Sequence, residues 1–296
     1  MRSIITIVVV IYLSLTLPAW SQQPIKIERF TRDGPMVGVL ATINLANPQV
    51  KIKVALADNR DPDGDGPCAG QLDVPSHVAR KQDFAVTLNA SFFGAPTVKV
   101  VDGQKVPYFV GNCTTLSGWH FSEGKLFGKP TTEKLRATML IMEDGSVTLQ
   151  DNVRELPAKT RFAVSGNAMV LVDGNNVATD KDGIRHPRSV VGLSQDGKTL
   201  YLVAIDGRQP SFSRGANMFE LGETLKAMGA HTAINLDGGG STAMIVKDSR
   251  TGTFGIANQP SEVSTDGYNV RMERPVADVI GVVIAPAVVE EKRNKN

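Results

Sequence analysis

The chain has 296 residues, of which 42% are hydrophobic and 21% are charged, an ordinary composition for a globular protein. The formal net charge is only +2, and no long block of like charge interrupts the sequence. Nucleic acid is therefore not an expected partner, because its recognition needs a strongly basic surface. The length allows one large domain or two small ones.

The N-terminus differs in composition from the rest of the chain. Arg2 supplies a positive charge, residues 4–17 are almost entirely apolar, and the small residues Ala19 and Ser21 follow. This pattern predicts a secretory signal peptide over residues 1–21. An uncleaved membrane anchor is the alternative, but the run is shorter than the roughly 20 apolar residues of a spanning helix. We therefore expect a secreted or periplasmic protein without a stable membrane anchor after cleavage.

The sequence contains two cysteines, Cys68 and Cys113, both in glycine-rich, loop-like surroundings. Neither has the Cys-x-x-Cys spacing that is typical of zinc and redox sites. In an oxidising compartment, a single pair of this kind favours a disulfide over two free thiols. We predict that the two cysteines are bonded to each other.

Alternation of polar and apolar residues dominates the chain and predicts strands. Residues 51–57 alternate in this way, and three further segments have an Asp-Gly turn between apolar runs, namely 139–149, 170–177 and 190–203. Asp-Gly readily adopts the positive backbone dihedrals of tight hairpin turns. These segments indicate antiparallel hairpins.

Helical patterns are fewer. Ser76 is a candidate N-cap for a short helix reaching Lys81, and residues 216–228 have apolar side chains on one face with Gly229 following. Residues 231–236 then read as a buried strand. We predict an α+β fold, a β-rich single domain of mostly antiparallel strands and hairpins with a few helices, over residues 22–285. Residues 286–296 are predicted to form a disordered charged tail.

The segment from Asp237 to Thr242 contains three consecutive glycines between a carboxylate and two hydroxyls. Successive glycine amides can form a concave group of donors that binds an anion such as phosphate, and Ser241 and Thr242 add hydroxyl donors. The spacing and lysine of a P-loop are absent. The alternative is a glycine-rich corner in which Asp237 caps its own turn.

A second group of polar residues lies upstream, on the hairpin of residues 188–206. Arg188 begins its first strand, whereas Asp206 and Arg208 follow its second, so all three are expected at one end of the hairpin. Arginine matches the oxygens of phosphate in geometry and charge. A surface Arg–Asp pair of little energetic value is the alternative. His186 could act as a base, although a lone histidine more often has a structural role.

Two further candidates are weaker. Asn89 ends an apolar run and could bind sugar hydroxyls, or it could simply stabilise a turn. Asp61, Asp63 and Asp65 alternate like the first half of an EF-hand loop, but the twelfth position is Leu72 instead of glutamate. Calcium is thus a candidate ligand, and a calcium-stabilised structural domain is a further alternative, while the sequence requires no cofactor.

Taken in order, these elements resemble the phosphodiester glycosidase domain family over about residues 71–285. The similar segments are His186-Pro187-Arg188, Asp206-Gly207-Arg208-Gln209, Asn235 to Thr242, and Glu273 to Asp278. The resemblance implies hydrolysis of a sugar-1-phosphodiester at its glycosidic bond. A phosphate leaving group needs charge stabilisation more than a proton, which amides and an arginine could supply.

The resemblance also implies roles for individual residues. Asp237 and Asp206 are the expected catalytic carboxylates, one or both assisting the attack of water. Phosphate would be held by Arg188 and by the segment Gly238, Gly239, Gly240, Ser241 and Thr242. Asn89, Arg208 and Asn235 would contact the substrate, a phosphorylated glycan or sugar-1-phosphodiester. The alternative is a non-catalytic envelope module that binds phosphorylated glycans without cleaving them.

Overall fold

The computed structural model describes residues 23–56, 63, 66–128, 136–264 and 270–286. The predicted signal peptide lies outside these residues, as do Asp61, Asp65 and all of the charged tail after residue 286. Among the described residues, no helix has the length and apolarity that a membrane crossing requires.

The described residues form 22 strands and two α-helices. The strands of the first half are β1 (Ile25–Arg32), β2 (Met36–Asn44), β3 (Val50–Leu56), β4 (Gly70–Gln71), β5 (Val86–Asn89), β6 (Phe93–Gly94), β7 (Lys99–Val101), β8 (Gln104–Val106), β9 (Cys113–Leu116), β10 (His120–Ser122), β11 (Lys125–Gly128), β12 (Thr138–Met142) and β13 (Val147–Gln150). Those of the second half are β14 (Thr160–Ser165), β15 (Ala168–Val172), β16 (Asn175–Asn176), β17 (Arg188–Leu193), β18 (Thr199–Ile205), β19 (Thr232–Asn235), β20 (Met244–Lys247), β21 (Phe254–Ile256) and β22 (Asp278–Ile284). The helices are α1 (Pro75–Gln82) and α2 (Met218–Ala227).

Three antiparallel sheets make up most of the domain. One has the strand order β1-β2-β18-β17-β19-β15-β16, the second β11-β10-β14-β12-β13, and the third β21-β20-β5-β22-β3. A three-stranded sheet (β4-β9-β6) and the hairpin β7-β8 complete the set. The predicted β-rich α+β class is confirmed, because the helices are few and the strand pairings are antiparallel.

The principal core lies where the inner faces of the three large sheets meet. Ile43, Leu88 and Met139 represent the three sheets in one continuous cluster of buried side chains. The helices cover the opposite faces: α2 packs Leu221 and Leu225 against the seven-stranded sheet, and α1 lies on the sheet of β5. Apolar burial on this scale is the main stabilising term of such a fold.

The predicted hairpins and helices are present. Segments 139–149, 170–177 and 190–203 contain the pairs β12-β13, β15-β16 and β17-β18, and the turn glycines have positive φ angles. The N-cap of α1 was predicted wrongly: Val74 precedes the helix, and Ser76 lies within it. Asn217 caps α2, where it exchanges hydrogen bonds with Glu220. Gly229 follows with φ +98°.

The cysteine prediction is confirmed by a disulfide between Cys68 and Cys113, with a sulfur–sulfur distance of 2.03 Å. Cys113 begins β9, which pairs with β4, so the bond joins the loop before β4 to this small sheet. The fold thus has a covalent link in a region that contributes little to the principal core.

Candidate active site

One cavity of about 260 Å³ lies where several strands of two sheets end. Its volume is slightly below the range of about 300–1,000 Å³ that is typical of ligand pockets. It is lined by Phe92, His186, Pro187, Arg188, Arg208, Asp237, Gly238, Gly239, Gly240 and Arg274. The segments after β5, before β17, after β18, after β19 and before β22 therefore converge on it.

Asp237 is the carboxylate of this cavity. Burial raises its pKa to about 6, while Ser241, the positive charge of Arg274 and the amide of Gly238 oppose the rise. The Ser241 hydroxyl is close enough to lower this pKa, although it makes no hydrogen bond of good geometry with any of the described residues. A carboxyl with a pKa near neutrality, beside a cavity, is the kind of group that takes part in acid–base chemistry.

Three arginines line the same cavity and make it strongly positive. Arg188 donates from Nε to the carbonyl oxygen of Ala216 at 3.0 Å, and burial lowers the pKa of its guanidinium. Arg274 pairs with Glu262 at 2.7 Å and stacks over the ring of Tyr108, with 4.1 Å to the ring centre. Arg208 is exposed at the edge. The charges suit a bound anion, and the fixed geometry of two of them limits reorganisation on binding.

His186 lies beside these arginines. Burial lowers the pKa of its imidazole, and the positive charges of Arg188 and Arg208 lower it further. The ring is accordingly neutral at pH 7 and can either donate or accept one hydrogen bond through each nitrogen according to its tautomer.

The glycine loop has a different geometry from the predicted donor group. Residues Gly239–Ser241 form one turn of 3-10 helix. The amides of Gly239, Ser241 and Thr242 donate to the carbonyl oxygens of Pro187, Gly238 and Gly239, so they are not directed at a ligand. The amides of Gly238 and Gly240 donate to no backbone carbonyl among the described residues, and that of Gly238 lies close enough to the Asp237 carboxylate to lower its pKa.

Close approach explains the three glycines better. A Cβ on Gly238 would lie 2.5 Å from the carbonyl oxygen of Pro187, and one on Gly240 would lie 2.3 Å from Nη2 of Arg274. Gly239 has φ +63°, a conformation that L-residues rarely adopt, and the Arg208 guanidinium lies against it. The run therefore lets two cavity arginines come close to the backbone beside Asp237.

Asp206 was predicted to lie in the active site, but its carboxylate is buried away from the cavity. Its carboxylate is 1% exposed and does not line the cavity. Oδ1 accepts hydrogen bonds from Asn258 Nδ2 at 3.0 Å and from the Gln259 amide at 2.8 Å, whereas Oδ2 has no partner among the described residues. Burial raises its pKa to about 6 as well. The hairpin end was predicted correctly, but the side chain points inward.

Asn89 and Asn235 are buried and bonded within the protein. Asn89 donates from Nδ2 to the carbonyl oxygen of Asp237 at 2.7 Å, and its Oδ1 accepts from Ser189 Oγ at 2.6 Å. Asn235 donates to Asn167 Oδ1 at 2.8 Å. Neither asparagine lines the cavity. Asn89 thus holds the backbone of Asp237 at the start of the glycine loop, whereas Asn235 bonds to the turn before β15. Ser241 and Thr242 are also buried, and their hydroxyls have no hydrogen-bond partner among the described residues.

The sequence prediction did not include Phe92, Pro187 or Arg274 among the site residues, and it left His186 as a possible base only. Arg274 belongs to a segment that had been noted for the resemblance, but nothing in its local pattern indicated a position opposite Gly240. The proximity depends on pairing of β22 with β5, which is remote in sequence.

The suspected calcium loop is only partly described. Asp63 Oδ2 accepts a hydrogen bond from the Cys68 amide at 3.2 Å, and Asp61 and Asp65 lie outside the described residues. Within the described part of the chain, no group of three or more His, Cys, Asp or Glu side chains is placed to hold a metal ion. Calcium binding remains a prediction.

Residues 85–283 match the sequence model of a family described as phosphodiester glycosidase. The chain belongs to this family. The matched range includes every residue that lines the cavity.

One curated relative is the N-acetylglucosamine-1-phosphodiester alpha-N-acetylglucosaminidase of Bos taurus, with 27% identity over 239 residues. The match covers 75% of this chain but 41% of the bovine protein, so the chain spans less than half of that relative's length.

Three solved structures are similar in fold. The auto-inhibited catalytic domain of the zebrafish N-acetylglucosamine-1-phosphodiester alpha-N-acetylglucosaminidase has 22% identity and a TM-score of 0.60, covering 89% of this chain and 82% of that one. A putative exported protein of Burkholderia pseudomallei K96243 has 14% identity and a TM-score of 0.60, covering 84% and 74%. A hypothetical protein from Synechocystis has 14% identity and a TM-score of 0.54, covering 88% and 62%.

Proposed function

We propose that this chain is an exported hydrolase that cleaves the glycosidic bond of a sugar-1-phosphodiester, releasing the free sugar and a phosphomonoester. The observation that carries the proposal is one carboxylate, Asp237, in the same cavity as Arg188, Arg208 and Arg274. The bovine relative is named for this reaction on N-acetylglucosamine-1-phosphodiester. The disulfide is consistent with an oxidising compartment.

In the proposed reaction the phosphodiester binds with its phosphate against the arginines. The bond between the anomeric carbon and the phosphate oxygen breaks, the electron pair leaves with the phosphate, and water supplies the new oxygen on the sugar. Arginines stabilise the charge that develops on the leaving phosphomonoester, so a general acid is not essential. In this proposal the arginines, more than the loop amides that the sequence prediction included, bind the phosphate and stabilise its charge. The Gly240 amide is a further donor.

Asp237 acts in this proposal as the ionised carboxylate, by activating water or by stabilising the positive charge on the sugar ring. Its pKa of about 6 makes it a base near neutral pH. We expect kcat/KM to fall as the pH drops below about 6, because protonation removes the reactive form. A profile that stays flat down to pH 4.5 would contradict this role.

The test of the proposal is hydrolysis of a panel of sugar-1-phosphodiesters, including one of N-acetylglucosamine, with phosphomonoester release as the readout. The wild type should turn over at least one member, and Asp237→Asn should bind it with similar affinity but turn over far more slowly. Binding without release by the wild type would favour the non-catalytic glycan-binding module instead.

Calcium enters the proposal only through Asp61, Asp63 and Asp65. If this loop holds the ion, a chelator should lower the melting temperature, and Asp63→Asn should remove the effect of the chelator. An unchanged melting temperature would exclude a stabilising calcium site at the loop.

A further inference from the structure

A buried polar cluster of three side chains lies behind the cavity and has no part in the function proposed above. The Asp278 carboxylate is its centre: Oδ1 accepts from the Ser91 amide at 2.7 Å, and Oδ2 accepts from Ser91 Oγ at 2.6 Å. The same Oδ2 lies 2.6 Å from Nδ1 of His120. Asp278 is 1% exposed, and His120 is fully buried.

Such a cluster is a costly way to stabilise a core. Removing a carboxylate from water has a penalty of several kcal/mol that hydrogen bonds only partly offset, and apolar replacements of similar shape are often no less stable. His120 also has one ring nitrogen, Nε2, without a hydrogen-bond partner among the described residues. The cluster therefore points to a role beyond stability, which is to hold neighbouring residues in place.

The cluster fixes the segment from Asn89 to Phe92, which in turn holds the backbone of Asp237. The Asp237 amide donates to the carbonyl oxygen of Ala90 at 2.8 Å, and the Asp237 carbonyl oxygen accepts from Asn89 Nδ2 at 2.7 Å. The Ala90 amide donates to the backbone carbonyl of Asp278 at 3.3 Å. Both polar groups of the Asp237 backbone thus bond to a segment that Asp278 secures.

We propose that Asp278 is a positioning residue for catalysis, which fixes Asp237 through the segment Asn89–Phe92, while His120 fixes the orientation of the Asp278 carboxylate. The effect that we expect on catalysis rests on the proposed function. Phe92, the last residue of the segment, lines the cavity, so the same contacts also place one wall of the site.

The negative charge of Asp278 predicts an effect on the pKa of Asp237 that a purely structural role would not produce. After burial, which is the main cause, the negative charge of Asp278 contributes to the raised pKa of Asp237. The groups that lower it are Ser241, Arg274 and the Gly238 amide. The other ionisable groups facing the cavity are His186, Arg188 and Arg208, none of which Asp278→Asn alters.

The test compares Asp278→Asn with Ser122→Ala in the full chain. Ser122 lies on the same strand as His120, is buried, and donates to the carbonyl oxygen of Val54 at 2.7 Å. Its loss therefore removes a buried hydrogen bond between the same two sheets that His120 and Asp278 join, without touching the segment. In Asp278→Asn we expect kcat on the sugar-1-phosphodiester to fall about 10- to 100-fold with KM nearly unchanged, since small misplacements of a catalytic group have effects of this size.

The second readout is the titration of the Asp237 carboxyl carbon by NMR, assigned with Asp237→Asn. In Asp278→Asn the pKa of Asp237 should fall, and the acidic limb of the kcat/KM profile should therefore shift to lower pH. Both should stay at their wild-type values in Ser122→Ala. Unchanged kcat, or a reduced kcat with no movement of either pKa, would overturn the inference. A wild type without turnover would refute the proposed function, and the titration would still decide the link between Asp278 and Asp237.

If Asp278→Asn does not fold, Ser91→Ala serves as the second variant. It removes one hydrogen bond to Asp278 and keeps the charge. We then expect a smaller fall in kcat, with KM and the Asp237 pKa near their wild-type values. An unchanged kcat in Ser91→Ala would count against positioning through this segment.

Discussion

Asp206 and Asp237 are two carboxylates with raised pKa values but different surroundings. Burial raises the pKa of each to about 6. Asp237 lines a cavity that it shares with three arginines, whereas Asp206 is enclosed and bonded to Asn258 and Gln259. A raised pKa therefore indicates burial in both cases, and only access to a cavity separates a candidate catalytic group from a structural one.

The largest expected difference is in turnover. Asp237→Asn should reduce kcat at least about 1,000-fold, because it removes the carboxylate that assists the attack on the sugar. Asp206→Asn should reduce kcat less than about 10-fold, since the amide oxygen can still accept from Asn258 and Gln259. Steady-state kinetics on a sugar-1-phosphodiester measures both, and equal losses would remove the distinction between the two carboxylates.

Replacing an arginine near Asp237 should likewise reduce activity more than replacing an arginine near Asp206. Arg188→Met removes a donor from the cavity, and we expect kcat/KM to fall about 100-fold, as for the loss of one donor to a developing anion. Arg29 is the matched control, because its charge acts on Asp206 and it donates to the carbonyl oxygen of Ala257. Arg29→Met should change kcat/KM less than about threefold. A larger loss in Arg29→Met than in Arg188→Met would reverse the proposed order.

A smaller effect is expected from the glycine loop. Gly240→Ala would bring a methyl group within 2.3 Å of both Arg274 Nη2 and Glu262 Oε2, so this ion pair must move away from Asp237. We expect a loss of about tenfold in kcat/KM with folding retained, because side-chain ends can shift. Gly255→Ala is the control, since none of the described residues has an atom within 4 Å of its added methyl group. Equal activity of the two variants would show that the Gly240 contact is not needed.

The smallest effect concerns stability. Because both folded-state pKa values are raised, the folded protein binds more protons than the unfolded chain between about pH 4 and 6. The free energy of unfolding should therefore decrease as the pH rises through this window and level off above it. Asp206→Asn and Asp237→Asn should each make the decrease in the free energy of unfolding smaller, by on the order of 1–2 kcal/mol over the window. Urea unfolding from pH 4 to 7 measures it, and slopes equal to wild type would contradict the burial argument.

Local patterns predicted the fold better than the site. Asp-Gly turns and alternation indicated the hairpins correctly, because turn chemistry and strand periodicity are properties of neighbouring residues. Arg188 and the segment Asp237 to Gly240 were also predicted to act together, and the structure brings them to one cavity. The hairpin of β17 and β18 is local enough to place Arg188 at its end.

The orientation of side chains could not be predicted in the same way. Asp206 and Arg208 are two residues apart, yet one is enclosed and the other is exposed, because the chain passes through the left-handed conformation at Arg208. Arg274 and Asp278 reach the site through pairings between distant segments, of β22 with β5 and of Val276 with Asp73. Pairings between segments so distant in sequence are a property of the whole fold, and no local pattern encodes them.

Hydrolysis in water labelled with oxygen-18 shows whether water attacks the sugar or the phosphorus. We expect a sugar-1-phosphodiester to yield a free sugar carrying the label and a phosphomonoester without it, with Asp237→Asn forming little of either product. Label in the phosphomonoester would mean that the phosphorus–oxygen bond is cleaved, and it would contradict the assignment of Asp237 and the arginines to a glycosidic cleavage.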